Sequence, residues 1–283
     1  MKPKVLFLTL WDSDFMGLGE YFDASFYNYK MPKEVFYERA KNADLIIEQE
    51  FNEGKSIYSH LMASVKVPKA MWFIDNGGIF SAYPNYANSY DYIFMSVDGM
   101  RRKLNRPSTH LPLGFFFTLD LMRRIKEGRG KQLSFVGHID EYVNRKLFFD
   151  KFKSDLDARK ISYTIKTASW REYANVVQDS YVAFNKSSTN ECNYRVFENI
   201  GFGGMLLTDY NEECAKIPSL ADRAYFYHNY EDIFSQIEKI LSIPKAGYEA
   251  MIKDNQNWIM NNHLMIHRYL KIAEQAINYK PTK

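Results

Sequence analysis

A chain of 283 residues with a net charge of +3 is too weakly cationic to be a general polyanion binder. Its 46% hydrophobic and 25% charged residues describe a globular protein with a sizeable core. Two cysteines, Cys192 and Cys214, exclude a disulfide framework and point to a reducing, cytoplasmic setting.

In chain order, the apolar run at 5–10 reads as a buried first strand. It is too short for a signal peptide, and Trp11-Asp12-Ser13-Asp14 follows where a cleavage site would stand. The Asp- and Gly-containing loop from 12 to 28 has no readable pattern. A helix is expected over 32–42, a strand over 44–48, a helix over 57–65 and a strand over 70–74 that runs into Asp75-Asn76-Gly77-Gly78. A strand at 92–96, a short helix and His110-Leu111-Pro112-Leu113-Gly114 complete the first half.

The second half repeats the alternation. Strands are expected at 132–137, 163–167, 181–185, 205–208 and 224–227. Helices are expected at 144–159, 170–178, 230–241, 245–262 and 263–278. Apolar strands alternating with helices indicate parallel sheets covered on both faces, so the fold class is α/β. The expected division is residues 1–124, a basic linker at 125–131, a second domain at 132–262 and a terminal helix at 263–283. Both domains are doubly wound and Rossmann-like, with ligands outside the carboxyl ends of the strands.

The stretch Asn193-Tyr194-Arg195-Val196-Phe197-Glu198-Asn199-Ile200-Gly201-Phe202-Gly203-Gly204-Met205-Leu206-Leu207-Thr208-Asp209 carries the most chemistry. It reads as an amphipathic helix stopped by glycines before an apolar strand. Glu198 can accept hydrogen bonds from paired hydroxyls and Arg195 can neutralise a diphosphate, but an Arg–Glu pair on an exposed helix face fits the spacing equally well. Gly137, ending the strand Phe135-Val136-Gly137-His138, would let backbone amides approach a phosphate. Arg145 in the following helix is a cation where the helix dipole does not favour one.

No Gly-x4-Gly-Lys loop or zinc pattern is present. His263 and His267 have metal-compatible spacing, but with Arg268 adjacent and no acid between them packing or capping is the stronger reading. Nine basic residues against two acids between 101 and 131 exceed the net charge of the whole chain. That segment reads as a solvated connector, or as a contact for an anionic partner such as duplex DNA or a membrane surface.

The order of these motifs resembles the GT-B glycosyltransferases, specifically the group similar to the spore-maturation protein CgeB. The matching features are Phe135-Val136-Gly137 followed by Arg145, then Arg195-Val196-Phe197-Glu198 with Gly203-Gly204 and Thr208-Asp209. Asn262-His263 with His267-Arg268, Trp72-Phe73-Ile74-Asp75, Tyr90-Asp91-Tyr92-Ile93-Phe94 and His110 to Gly114 complete the set.

The resemblance implies two domains facing across a cleft, a terminal helix crossing back, and sugar transfer from a nucleoside-diphosphate sugar, with a UDP-sugar expected as co-substrate. It places Glu198 on the ribose, and Arg195, Arg145, Lys186 and the Gly137 loop near the diphosphate. His138 would face the sugar or phosphate, and Gly203 and Gly204 would admit the donor closely. No metal or other cofactor is expected, since Asp12-Ser13-Asp14 sits in the acceptor-side domain. Asp75, with Asp12 and Asp14 behind it, is the expected base for the acceptor hydroxyl, although Asp-Asn-Gly-Gly is also a good turn.

Many retaining relatives carry a second Glu eight positions before the ribose-binding one, where this chain has Asn190, so the resemblance does not fix the stereochemical outcome. The acceptor is expected to be a surface glycan, a lipid-linked saccharide or a modified DNA base. The alternative is a non-catalytic module of the same fold that binds nucleotide sugars or glycans.

Overall fold

The computed structural model describes residues 1–9, 17–50, 58–74, 86–101, 103–104, 106–116, 122, 128–139, 143–187 and 191–281, except for the side chains of residues 170 and 171. Two compact units emerge. One comprises Met1–Leu113 with Met265–Lys283, and the other Gly114–Leu264.

The first unit is built on a parallel sheet of β1 (Lys4–Leu8), β2 (Asp23–Tyr27), β3 (Leu45–Gln49), β4 (Lys69–Phe73), β5 (Tyr92–Met95) and β6 (Thr109–His110), ordered β2-β1-β3-β4-β5-β6. Every residue of β3 is buried, as expected of a parallel strand covered on both faces. One face packs Leu6, Ile46, Met71 and Phe73 against Phe36 and Ala40 of α1 (Lys33–Lys41) and Leu61 and Met62 of α2 (Ser59–Met62). A further short helix, α3, spans Asp98–Arg101. The strand β2 falls in the stretch without readable pattern. It is a short edge strand, half-buried and partly polar, held by its pairing with β1 from Lys4↔Asp23 to Leu8↔Tyr27.

In the second unit β7 (Lys131–Val136), β8 (Tyr163–Lys166), β9 (Ser180–Phe184), β10 (Met205–Asp209) and β11 (Ala224–Tyr227) form a parallel sheet ordered β11-β10-β9-β7-β8. Its helices are α4 (Val143–Ala158), α5 (Trp170–Gln178), α6 (Tyr194–Gly201), α7 (Glu212–Ala215), α8 (Asp232–Leu241) and α9 (Lys245–Asn262). Leu133, Phe135, Val182, Phe184 and Leu207 meet Phe149, Phe152 and Leu156 of α4 and Ile233 and Ile237 of α8. Phe152 and Phe184 have ring centroids 4.8 Å apart.

The helix α10 (Met265–Ile277) belongs to the first unit. Tyr269 there packs edge-on against Phe7 at 5.2 Å and Trp72 at 6.1 Å, and its hydroxyl donates to the side chain of Gln49. Arg268, buried, donates to the carbonyls of Pro112 at 2.7 Å and Leu113 at 2.8 Å. Two residues of the Asn-His…His-Arg signature thus have packing roles: Arg268 holds these carbonyls, and His263, in the second unit, stacks between Phe197 and Trp258, with centroids at 5.3 and 4.0 Å.

The chain passes between units at 113/114 and 264/265, so the segment expected as a linker at 125–131 falls within the second unit. Residues 125–127 lie outside the described set. Arg129 is built into this unit: its guanidinium donates to the carbonyls of Gln178 at 3.1 Å, Gly203 at 2.7 Å and Ser180, and lies 5.1 Å from the Tyr248 ring. Arg106 is likewise spent on the carbonyls of Ala87 and Tyr90 in the first unit. Both guanidiniums are therefore occupied inside the fold, which reduces the surface charge expected of the basic segment.

Candidate functional site

The second sheet gathers polar side chains at its carboxyl edge, where helix N-termini also point. Strand β7 ends at Val136, and Arg195 from the first turn of α6 reaches across to it. The Arg195 Nε donates to the Val136 carbonyl at 2.9 Å. A Cβ on Gly137 would sit 2.6 Å from the Arg195 Nη2, closer than such atoms approach one another. The Gly137 amide meanwhile donates to the Lys166 carbonyl at 3.1 Å. Glycine at 137 thus admits a guanidinium, whereas the sequence suggested a phosphate at the same place.

Glu198 follows one turn later and is only 8% exposed. Burial raises its carboxyl to about 7, against the pull of the Arg195 charge and a hydrogen bond with Tyr173. Tyr173 is itself buried, and its phenol is held well above its ordinary value by burial and by Glu198. The Tyr173 hydroxyl donates to Asn199 Oδ1 at 2.8 Å. A phenol carries one proton, so Asn199 Oδ1 and the Glu198 carboxylate compete for it as acceptors. Arg195 and Glu198 are therefore not the exposed helix-surface pair that spacing alone permitted.

A second group clamps the chain just after β9. Arg145, on α4 and 9% exposed, donates from Nη2 to the Lys186 carbonyl at 3.1 Å and lies 5.5 Å from the Phe135 ring. Arg195 lies 5.6 Å from the same ring, so two guanidiniums flank one phenyl group. Asp209, at the end of β10, accepts from the Ser187 amide at 2.9 Å and from the Ser187 hydroxyl. Asn185 donates to Thr208 Oγ1 at 3.0 Å and its carbonyl accepts from Tyr227 at 3.2 Å. Burial and the negative Asp209 push the Tyr227 phenol up, and Arg145 pulls it back. Lys186 is half-buried, with its ammonium 5.9 Å from the Phe148 ring.

Of the residues singled out from sequence, Gly137, Arg145, Lys186, Arg195 and Glu198 come together here, and exposed His138 follows Gly137 directly. Gly203 and Gly204 do not. They lie at the amino end of β10, where Gly203 has φ +82° and a Cβ on Gly204 would meet the Ala183 Cβ at 2.5 Å. Their surroundings are protein atoms, so they terminate α6 and admit β9 with no room made for a ligand. Asp12, Asp14, Asp75 and Asn190 lie outside the described residues.

Sequence reasoning passed over Tyr173 and Ser187 here, and named Asp209 as the end of the motif without giving it a role. It also missed Glu48 and Glu50 at the carboxyl end of β3, both buried. Tyr90 donates to Glu48, and the Ile74 amide donates to Glu50 at 3.3 Å. An acid directly continuing the run Leu45-Ile46-Ile47 was the available signal. Among the described residues no three His, Cys, Asp or Glu side chains gather as a metal-holding group, and no helix is long and apolar enough to cross a membrane.

Residues 120–274 match the family model described as "Glycosyl transferase-like". No curated protein matches the chain. Among solved structures, an α-glucosyltransferase in complex with UDP and a 13-mer DNA containing an HMU base is similar at a TM-score of 0.64 and 10% identity. The match covers 99% of this chain and 100% of that one. A glycosyltransferase from Rickettsia africae ESF-5 is similar at 0.61 and 11% identity, covering 99% and 100%. A UDP-forming α,α-trehalose-phosphate synthase from Burkholderia xenovorans is similar at 0.55 and 13%, covering 88% and 79%. At such identities the likeness shows the fold, two Rossmann-like parallel-sheet domains of the GT-B kind. With a family model matched over more than half of its length, the chain belongs to the glycosyl transferase-like family.

Proposed function

We propose that the protein transfers a sugar from a nucleoside-diphosphate sugar, with UDP as the nucleotide, to an acceptor hydroxyl, and that its motif order aligns it with the CgeB-like group. The observation that carries this reading is the pairing of Arg195, held over Gly137, with a buried Glu198 one turn further along α6. An ionised Glu198 accepts hydrogen bonds from the ribose hydroxyls. Arg195, Lys186 and Arg145 supply positive charge for the diphosphate, and His138 meets the donor beside Gly137. The acceptor oxygen attacks the anomeric carbon, the bond from that carbon to the phosphate oxygen breaks, and UDP leaves with its charge neutralised by these cations without a metal ion. The acceptor proton passes to a carboxylate of the first unit, with Asp75 assigned ahead of Asp12 and Asp14 on sequence grounds.

DNA carrying a modified base is the acceptor class with the most support, because a neighbour matching end to end is seen with UDP and such a DNA. Melting curves of the purified chain with UDP-, GDP- and TDP-sugars test the donor, since a ligand preferring the native state raises the melting point. A shift with UDP and UDP-sugars accompanied by slow sugar release is expected. No shift with any of them overturns the reading. Sugar transfer to duplex DNA carrying hydroxymethylated bases, compared with unmodified duplex, tests the acceptor.

A further inference from the structure

The carboxyl edge of the second sheet continues past the cationic cluster. Tyr210 follows Asp209 directly, its amide donating to the Tyr227 carbonyl at 2.9 Å. Its ring centroid lies 4.8 Å from that of His228, with the planes tilted by 30°. Phe226 meets it edge-on at 5.9 Å and 77°. Tyr210 is nevertheless 46% exposed, and His228 is exposed as well. A single exposed aromatic residue is ordinary on a protein surface. This one is backed by a second ring, braced by a third and fixed through its own backbone at the sheet edge, so it presents a pre-ordered ring surface beside the site.

Its place along the edge says what it meets. In the sheet order β8-β7-β9-β10-β11, Arg195 and Gly137 mark the end of β7, Lys186 and Ser187 follow β9, Asp209 and Tyr210 close β10, and His228 follows β11. Neighbouring strands are about 4.8 Å apart, which puts β10 two spacings, about 10 Å, from β7. A nucleotide sugar is linear, with the diphosphate between nucleoside and sugar. With its ribose at Glu198 and its diphosphate over Arg195 and Lys186, its other end runs toward β10 and β11.

We propose that Tyr210, backed by His228, is the platform on which the pyranose ring of the donor packs through its C–H face, and that this contact sets sugar preference. The proposal rests on the donor reading given above. It concerns apolar contact with the ring and asks nothing of the tyrosine hydroxyl.

Calorimetric titration of the full chain with UDP, UDP-glucose, UDP-galactose and UDP-N-acetylglucosamine tests it in the wild type, Tyr210→Ala, Tyr210→Phe and His228→Ala. For the tightest UDP-sugar, Tyr210→Ala weakens binding roughly 10-fold, as expected for loss of about 50 Å² of apolar contact. UDP itself stays within about twofold, Tyr210→Phe binds like the wild type, and His228→Ala shows a smaller loss in the same direction. A half-exposed Tyr210 makes the variants foldable, and His228→Ala carries the same reading independently. Equal losses for UDP and UDP-sugar, an unchanged UDP-sugar affinity, or Tyr210→Phe as weak as Tyr210→Ala would each overturn the platform while UDP binding stands. Absence of UDP binding by the wild type overturns the donor reading, and the platform with it.

Discussion

The guanidinium of Arg195 fills the space that a side chain at residue 137 would need: a Cβ there would lie 2.6 Å from Nη2 and 2.9 Å from Cζ. Glycine at this position is thus explained by a close approach between residues far apart in the chain. In Gly137→Ala the guanidinium must swing away from the Val136 carbonyl, losing a hydrogen bond worth about 1 kcal/mol. Because the displaced group is the end of a flexible side chain, the urea midpoint should change little. UDP affinity should fall about 5- to 10-fold by titration. An unchanged affinity would show that Arg195 does not touch the nucleotide.

The pH dependence of Glu198 separates its cost to stability from its use in binding. Its folded value is about 7 against an ordinary 4.5. Below pH 4.5 the carboxyl is protonated in both folded and unfolded chains and carries no penalty. Between 4.5 and 7 only the unfolded chain ionises, and above about 7 the folded protein holds a buried carboxylate. The favourable contribution is therefore fully present below 4.5 and lost as pH rises through about 7. Glu198→Gln should match the wild type near pH 4.5 and exceed it at pH 8 by about 2–3 kcal/mol in denaturant unfolding. UDP binding should run the other way, with wild-type affinity rising from about pH 6 to 8 as the acceptor ionises and the variant nearly flat. Parallel binding profiles would remove Glu198 from the ribose.

Asp209 holds the chain after β9 through both the amide and the hydroxyl of Ser187. Asp209→Ala leaves those two donors without this acceptor in a buried setting, and is expected to cost about 1–3 kcal/mol by urea unfolding. Lys186, next in sequence to Ser187, should lose its set position. A rise in the donor KM larger than any fall in kcat is the expected kinetic signature, and Asp209→Asn, which keeps one acceptor oxygen, should recover part of both.

Gly204 provides the opposite case to Gly137. A Cβ there meets the Ala183 Cβ at 2.5 Å and Val177 Cγ1 at 2.8 Å, atoms close to the backbone that cannot swing aside. Gly204→Ala should therefore destabilise the protein by about 1–3 kcal/mol through overpacking while leaving UDP affinity of the folded fraction unchanged. Loss of affinity without loss of stability would return Gly204 to the ligand side of the sheet.

Periodicity located most elements because their signals are local. Apolar runs such as Ala70-Met71-Trp72-Phe73 are buried on both faces of a parallel sheet, and helices such as α9 keep their expected bounds. The edge strand β2 escaped because Asp23-Ala24-Ser25-Phe26-Tyr27 has neither an apolar run nor clean alternation, and is a strand through its pairing with β1. Within the candidate site, Arg195 and Glu198 were legible as a charged pair on an amphipathic helix, and Arg145 as a cation where the helix dipole does not favour one. Tyr173 and Ser187 were not, since a tyrosine on a helix and a serine after a strand are ordinary residues until their partners are known.

Sequence alone determined the α/β class, the alternation of strands and helices, and the concentration of chemistry from Asn193 to Asp209, because each depends on neighbours a few positions away. Only the tertiary structure decided that Gly137 makes room for Arg195, that Gly203 and Gly204 serve packing, and that Arg129 is a half-buried clamp. Those roles are set by burial and by hydrogen bonds between distant positions, 59 residues apart for Arg195 and Val136 and 74 for Arg129 and Gly203. No short-range pattern carries that information, because the energy of each contact depends on which atoms the fold brings within reach.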